Sequence, residues 1–275
     1  MRQSGGTMGV IAAVLCVGVL VGATGPAFAG DPALQRAIDS PTRSAKFIAR
    51  DAARHPAEEL EFFGIRPNLT VVEIWPAGGY WTEILAPYLR ADGKLYAAAA
   101  VPGGSHEGDT KLAEFRTKLE ADPAVYDKVI VTAFGANATD VAPAGSADLV
   151  VTFRNLHNWL KAGTADAAFA AFYRALKTGG VLGIEDHRAR SDKPQDPAAA
   201  SGYVREDYAI ALAQKAGFEL VSTSEIGANP KDTTDWPKGV WTLPPSLALG
   251  DVDRAKYEAI GEADNFVLKF RKPAK

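Results

Sequence analysis

The 275-residue chain has one cysteine, Cys16. No disulfide can form within it, and a thiol nucleophile elsewhere in the chain is excluded. It has no long basic run, and its net charge is -3. Electrostatic attraction to nucleic acid therefore has little support, and no nucleic-acid partner is expected. There are only four histidines, with no H-x-x-x-H or C-x-x-C spacing. Adjacent ligand-type residues such as Asp186 and His187 would point to opposite faces of one strand, so no metal site is expected. No internal repeat is visible. What is present, 47% hydrophobic and 23% charged residues, suits an ordinary globular protein with one sizeable core and no need of a second full domain.

The N-terminus carries a targeting signal. Arg2 precedes an apolar run over residues 10–21, then Gly22, Gly25 and Pro26, then Ala27-Phe28-Ala29. This order predicts a signal peptide over residues 1–29, cut after Ala29. The apolar run is shorter than the roughly 20 residues a spanning helix needs. Cys16 follows bulky Leu15, where lipid attachment wants a small residue. The expected product is periplasmic or secreted, meets the membrane only during export, and has lost its one thiol.

Residues 30–69 read as a helical segment, with a break near His55-Pro56. From Thr70 onward, strands and helices alternate. Strands are predicted over 70–75, 94–100, 128–133, 147–153, 181–185, 218–225 and 265–271. Helices are predicted over 81–89, 110–119, 165–176 and 206–216. Such alternation predicts an α/β fold with a doubly wound, mainly parallel sheet and helices on both faces. Residues 229–250 break the rhythm: they are rich in proline, hold Trp236 and Trp241, and have no clear period. They read either as a cover over the sheet edge or site mouth, or as a loop plugging its own local core.

In open parallel sheets, ligands sit beyond the carboxyl ends of the strands. Glu73-Ile74-Trp75-Pro76-Ala77-Gly78-Gly79-Tyr80 occupies the end of the first strand and opens directly into a helix. Small residues there allow close backbone approach by a ligand, and a helix N-terminus favours negative charge.

This run, continued as Trp81-Thr82-Glu83-Ile84-Leu85-Ala86-Pro87-Tyr88-Leu89, resembles the class I S-adenosylmethionine (SAM) methyltransferases. The likeness is nearest to a family of predicted exported methyltransferases. Further matches are Asp148 through Trp159, Leu176-Lys177-Thr178-Gly179-Gly180-Val181-Leu182, Gly202-Tyr203-Val204-Arg205-Glu206 and Ala216-Gly217-Phe218-Glu219-Leu220. Together they span residues 70–272. The resemblance implies a Rossmann-like sheet of seven strands whose last strand is antiparallel and forms a hairpin with the sixth. It implies SAM as cofactor, with Glu73, Trp75, Ala77, Gly78 and Gly79 around its amino-acid end. Asn137 would lie near the adenine, and Phe153 and Asn155 would face cofactor and acceptor. Two positions depart from the family pattern. Trp75 and Ala77 replace the first two glycines of the loop, and Ala97-Ala98-Ala99-Ala100-Val101 stands where an acidic residue normally holds the ribose. A neutral binding mode, another cofactor, or lost SAM binding all remain open at this point.

Catalytic candidates lie at the later strand ends. His187 beside Asp186 reads as a general base or as part of a rim capping the strand. His157, after the fourth strand, reads as a structural group or a second catalytic one. The expected function is SAM-dependent methylation of a small-molecule acceptor. The alternative is an exported, non-catalytic ligand-binding protein on the same fold. A nicotinamide-dependent oxidoreductase would want three glycines and the missing acid.

Overall fold

A computed structural model describes Met1, Arg2, Gly5 and residues 30–101 and 106–274. The expected apolar run and the Ala27–Ala29 cleavage site lie outside the described residues. Among the described residues, no helix is long and apolar enough to cross a membrane.

The β-branched run after Asn68 forms β1 (Thr70–Ile74), and β2 (Lys94–Ala100), β3 (Val129–Phe134) and β4 (Ala147–Phe153) follow. β5 (Leu176–His187), β6 (Glu219–Ser224) and β7 (Asn265–Arg271) complete one seven-stranded sheet of order β3-β2-β1-β4-β5-β7-β6. β1 to β5 pair in parallel, while β7 runs antiparallel to both β5 and β6. The expected architecture is therefore present. β6 and β7 are not joined by a tight hairpin, since the irregular segment after Ser224 and a further helix intervene. β5 is longer than the predicted 181–185. Leu176 already pairs with Ala147, and the Thr178-Gly179-Gly180 turn is taken up as an irregularity in the β4 register.

The N-terminal segment is not one broken helix but four short ones: α1 (Pro32–Ile38), α2 (Ala45–Ile48), α3 (Asp51–Arg54) and α4 (Pro56–Phe63). Prolines at the first turns of α1 and α4 start new helices, and Gly64, at φ 85°, ends α4. Their apolar residues Leu34, Phe47, Leu60 and Phe63 join Val71, Leu149, Val151 and Val267 in the core on one sheet face. α4 lies so close to β5 that a Cβ on Gly183 would sit 2.7 Å from the Phe63 ring. Only glycine permits that approach. α5 (Thr82–Leu89), α6 (His106–Ala121) and α7 (Pro123–Tyr126) follow β1, β2 and α6 in turn.

The other face is covered by α8 (Leu156–Lys161), α9 (Ala165–Ala175) and α10 (Glu206–Lys215). There Trp159, Phe169 and Phe172 pack on Val72, Val150, Leu182, Phe266 and Phe270. Alternation along each strand assigns neighbours to opposite cores, Val71 to one and Val72 to the other. α11 (Arg254–Ile260) lies just before β7.

The proline- and tryptophan-rich segment has both features expected of it. Its Val240 and Leu243 form a small local core with Tyr203, Tyr257 and Ala263 from the flanking chain, and Trp236 and Trp241 pack against it. Buried Asp232 organises it, accepting hydrogen bonds from Tyr203 Oη, Trp236 Nε1 and the backbone N–H of Thr234 and Asp264. Trp241 and Pro244 to Ser246 meanwhile cover a cavity at the strand ends.

Candidate functional site

At the end of β1, three residues of the turn have left-handed backbone: Trp75 at φ 49°, Ala77 at φ 50° and Gly79 at φ 87°. These are the places where the glycine-rich pattern has its glycines, so the backbone path survives two substitutions of the residues that favour it. Each non-glycine residue there costs roughly 1–2 kcal/mol. Packing offsets the cost at Trp75. Its Nε1 donates to the Phe134 carbonyl at 2.9 Å, and its ring meets Phe134 and Trp159 at 5.9 and 5.7 Å between centroids. Trp75 thus ties the end of β1 to the end of β3 and walls a pocket, where glycine would have left open backbone.

Two cavities meet at this turn. The first, about 760 Å³, lies over the ends of β1, β2 and β3 and is lined mainly by apolar groups: Ala99, Ala100, Val101, Leu112, Phe115, Phe134 and Trp159, with Asn137 and Thr139 among the polar ones. The second, about 600 Å³, lies over β4 and β5 beneath the tryptophan segment, and its lining includes Arg50, Arg54, Phe153, Arg154, His157, His187, Trp241 and Glu262. Both volumes fall in the range of roughly 300–1,000 Å³ common for ligand sites. Trp75, Pro76, Ala77, Lys111, Asn155, Asn158 and Lys161 line both, so the two adjoin along this turn.

The expected cofactor residues are distributed unevenly. Trp75 and Ala77 line both cavities, Asn137 lines the first, and Glu73, Gly78 and Phe153 line the second. Gly79 lines neither; a Cβ there would point at Phe115 and Lys118 of α6, 3.3–3.4 Å away. Its place in the turn is backbone geometry. Asn155 is a clamp between strands, its Nδ2 donating to the Ile74 carbonyl at 3.0 Å and to Thr152 Oγ1 at 3.2 Å. Phe153 stacks on Trp81 at 3.9 Å. Glu73 is buried and accepts from Thr82 Oγ1 at 2.6 Å through Oε2, while Oε1 has no partner. Burial pushes its carboxyl up to about 7, against the bonds from Thr82.

Asp186, His157 and His187 come together, contrary to the expectation from strand alternation. β5 ends at His187, and the helix α8 brings His157 across its end. Asp186 is fully buried and accepts from the His157 backbone N–H at 2.9 Å, the His187 backbone N–H at 2.8 Å and His157 Nδ1 at 2.9 Å. Burial pushes this carboxyl up, but the charge and bond of His157 outweigh it and hold it below the usual carboxylate range. His187 Nδ1 lies 2.7 Å from Asn265 Oδ1. A carboxylate and an amide oxygen only accept, so both Nδ1 atoms carry the hydrogen.

Burial pushes the His187 imidazole down from 6.5 to about 3, with His157 and Arg154 adding to it against Asp186. The neutral ring is therefore the native form. The unfolded chain takes up this proton near pH 6.5 and the native chain only near 3. The contribution to stability is thus complete above 6.5 and is lost as pH falls toward 3. Its slope is at most about 1.4 kcal/mol per pH unit. In urea unfolding at two acidities, near neutral and about two pH units lower, His187→Gln is expected to lose about 2 kcal/mol less stability than wild type across the interval. Equal losses would show that the ring is already charged in the fold.

Beside the histidines lies an ion cluster that sequence reasoning missed. Glu262 accepts from Arg50 Nε at 2.6 Å and Nη2 at 2.8 Å, from Arg154 Nη1 at 2.8 Å and from Arg54 Nε at 3.4 Å. Arg154 Nε is 3.3 Å from Glu185. Burial pushes Glu262 up, but the Arg50 bond and the charges of Arg154, Arg54 and Arg50 bring it down to about 2. Burial and the neighbouring Arg154 lower Arg54 to about 9, while burial and Glu185 push buried Glu59 well up. Glu262 is more than 100 residues from each of its arginine partners in the chain. Only Arg154 stood inside a matched run, and Glu185 at the end of a predicted strand.

No family model and no curated protein matches the chain. Solved structures do. A SAM-dependent methyltransferase from Aquifex aeolicus aligns at TM-score 0.55 and 17% identity over 88% of this chain and 98% of that one. The [4+2]-cyclase SpnF aligns at TM-score 0.57 and 14% identity over 82% of each chain. An arsenic(III) SAM methyltransferase from Chlamydomonas reinhardtii aligns at TM-score 0.52 and 14% identity over 90% and 75%. The chain has the Rossmann-like fold of these methyltransferases. A cyclase shares it, so the fold alone does not set the reaction.

Proposed function

We propose that the chain binds SAM across the two cavities and transfers its methyl group to a small-molecule acceptor. The observation that carries this reading is the meeting of an apolar and an arginine-rich cavity at the residue 75–78 turn of a methyltransferase fold. The apolar cavity suits the adenine, with Asn137 at its edge, and the arginine-rich one suits the carboxylate end and the acceptor. No acid stands at Ala99 to hold the ribose, so apolar enclosure and the Trp75 ring carry more of the binding than a ribose anchor does.

When bound, SAM would supply the methyl group to the acceptor and leave as S-adenosylhomocysteine. A proton lost by the acceptor needs a base. His157 fits that role better than His187. Asp186 holds the His157 Nδ1–H and so fixes the ring with Nε2 as the accepting nitrogen, whereas burial holds His187 neutral down to about 3. Positioning supplies the larger part of the rate.

The test is release of S-adenosylhomocysteine when the purified chain, SAM and a small-molecule extract are combined. Release that needs all three supports the reading. SAM binding without release from any extract would instead support a non-catalytic binding protein. The leader directs this activity out of the cytoplasm, so mass spectrometry of the periplasmic or secreted chain should find Gly30 first; Met1 there would overturn the export reading.

A further inference from the structure

We propose that His157 and His187, with Asp186 behind them, bind a divalent transition-metal ion at the floor of the second cavity. One ligand atom from each of the three residues lies within 4.8 Å of the others. The imidazole rings are 5.3 Å apart between centroids and inclined at 35°. Two imidazoles bound at about 2.0–2.1 Å to one tetrahedral ion have ring centres roughly 5 Å apart.

The hydrogen-bonding around the rings points the same way. Metal-binding histidines usually donate their second ring N–H to a carboxylate or carbonyl oxygen, which fixes the tautomer and aims the other nitrogen. Here Asp186 does this for His157 and the Asn265 side chain does it for His187. With both Nδ1 atoms carrying the hydrogen, each Nε2 keeps its lone pair, and both rings line the cavity. Asp186 is not part of the lining; its charge sits behind the rings, fixed by two backbone N–H groups. Of the arginines lining the cavity, Arg154 pairs with Glu185, and Glu262 is shared among Arg50, Arg54 and Arg154.

Imidazole donors favour zinc, copper, nickel, cobalt or iron over magnesium or calcium. With two nitrogens supplied by the protein, the remaining coordination positions would open toward the cavity and be filled by water or ligand. An ion there would take the Nε2 lone pair of His157, and the ion rather than the imidazole would then polarise an acceptor. The site does not depend on the cofactor reading, because none of its atoms belongs to the residue 73–79 turn.

The test is titration of the purified, untagged chain with Co²⁺ in the absence of SAM, following visible d–d absorption, with Zn²⁺ as competitor. Binding of one Co²⁺ per chain, displaced by Zn²⁺, is expected. Affinity should fall at least about 100-fold in His187→Gln and about 10–100-fold in Asn265→Ala, which touches only the outer hydrogen bond. Absence of binding at millimolar Co²⁺, or unchanged affinity in folded His187→Gln, would overturn the proposal and leave SAM binding untouched.

Discussion

Replacing Arg154 by alanine is expected to lower the unfolding free energy by about 3–5 kcal/mol, the usual cost of removing one partner from a buried ion pair. Arg154 is the hub that joins Glu185 on its own sheet to Glu262 ahead of β7. Its loss leaves Glu185 and Glu59, both buried and both already pushed up by burial, without their largest compensating charge. The deficit carries a pH signature. Carboxyls with raised pKa are destabilising when ionised, so lowering the pH protonates them and the difference from wild type should shrink. Urea titrations near neutral and about two units lower measure both effects. A deficit under about 1 kcal/mol would mean that Arg50 and Arg54 suffice to neutralise the cluster.

A Gly78→Leu substitution is expected to weaken SAM binding about 10–100-fold while leaving the fold in place. Gly78 lines the second cavity, and its backbone is not left-handed. A Cβ there meets only the Phe47 ring, at 3.4 Å, an ordinary contact. The rest of the leucine must then share space with the ligand, a crowding worth about 1–3 kcal/mol. Gly79 is unsuitable for this purpose, since its substitution would strain the backbone and press on α6 rather than fill a cavity. Calorimetric titration of a variant with unchanged circular dichroism measures the effect. Wild-type affinity in the variant would place the cofactor elsewhere.

Regular elements were largely legible because their signals are local. β2, β4 and β7 lie at the predicted bounds, and the strand-then-turn reading of Thr70 to Gly79 marked the turn at which the two cavities meet. What was not legible depends on distance or on backbone state. α8 follows β4 after two residues and is only six residues long, so its apolar face, Leu156, Trp159 and Leu160, gave no separate period. Trp75 looked like an obstacle in a glycine position; its left-handed backbone and bond to Phe134 show it as part of the wall. The alternation rule separated Asp186 from His187, yet it does not govern the strand's last residue once another helix, carrying His157, crosses the end. Arg50, Arg54 and Glu262 could not be assigned to the site, because no spacing links residues that meet only through folding.

The central claim is SAM binding across the two adjoining cavities, and calorimetric titration of the purified chain with SAM and S-adenosylhomocysteine tests it most directly. The account predicts saturable, one-to-one binding of both, with a negative heat-capacity change from burial of the adenosine against apolar walls. No binding of either at millimolar concentration would contradict it.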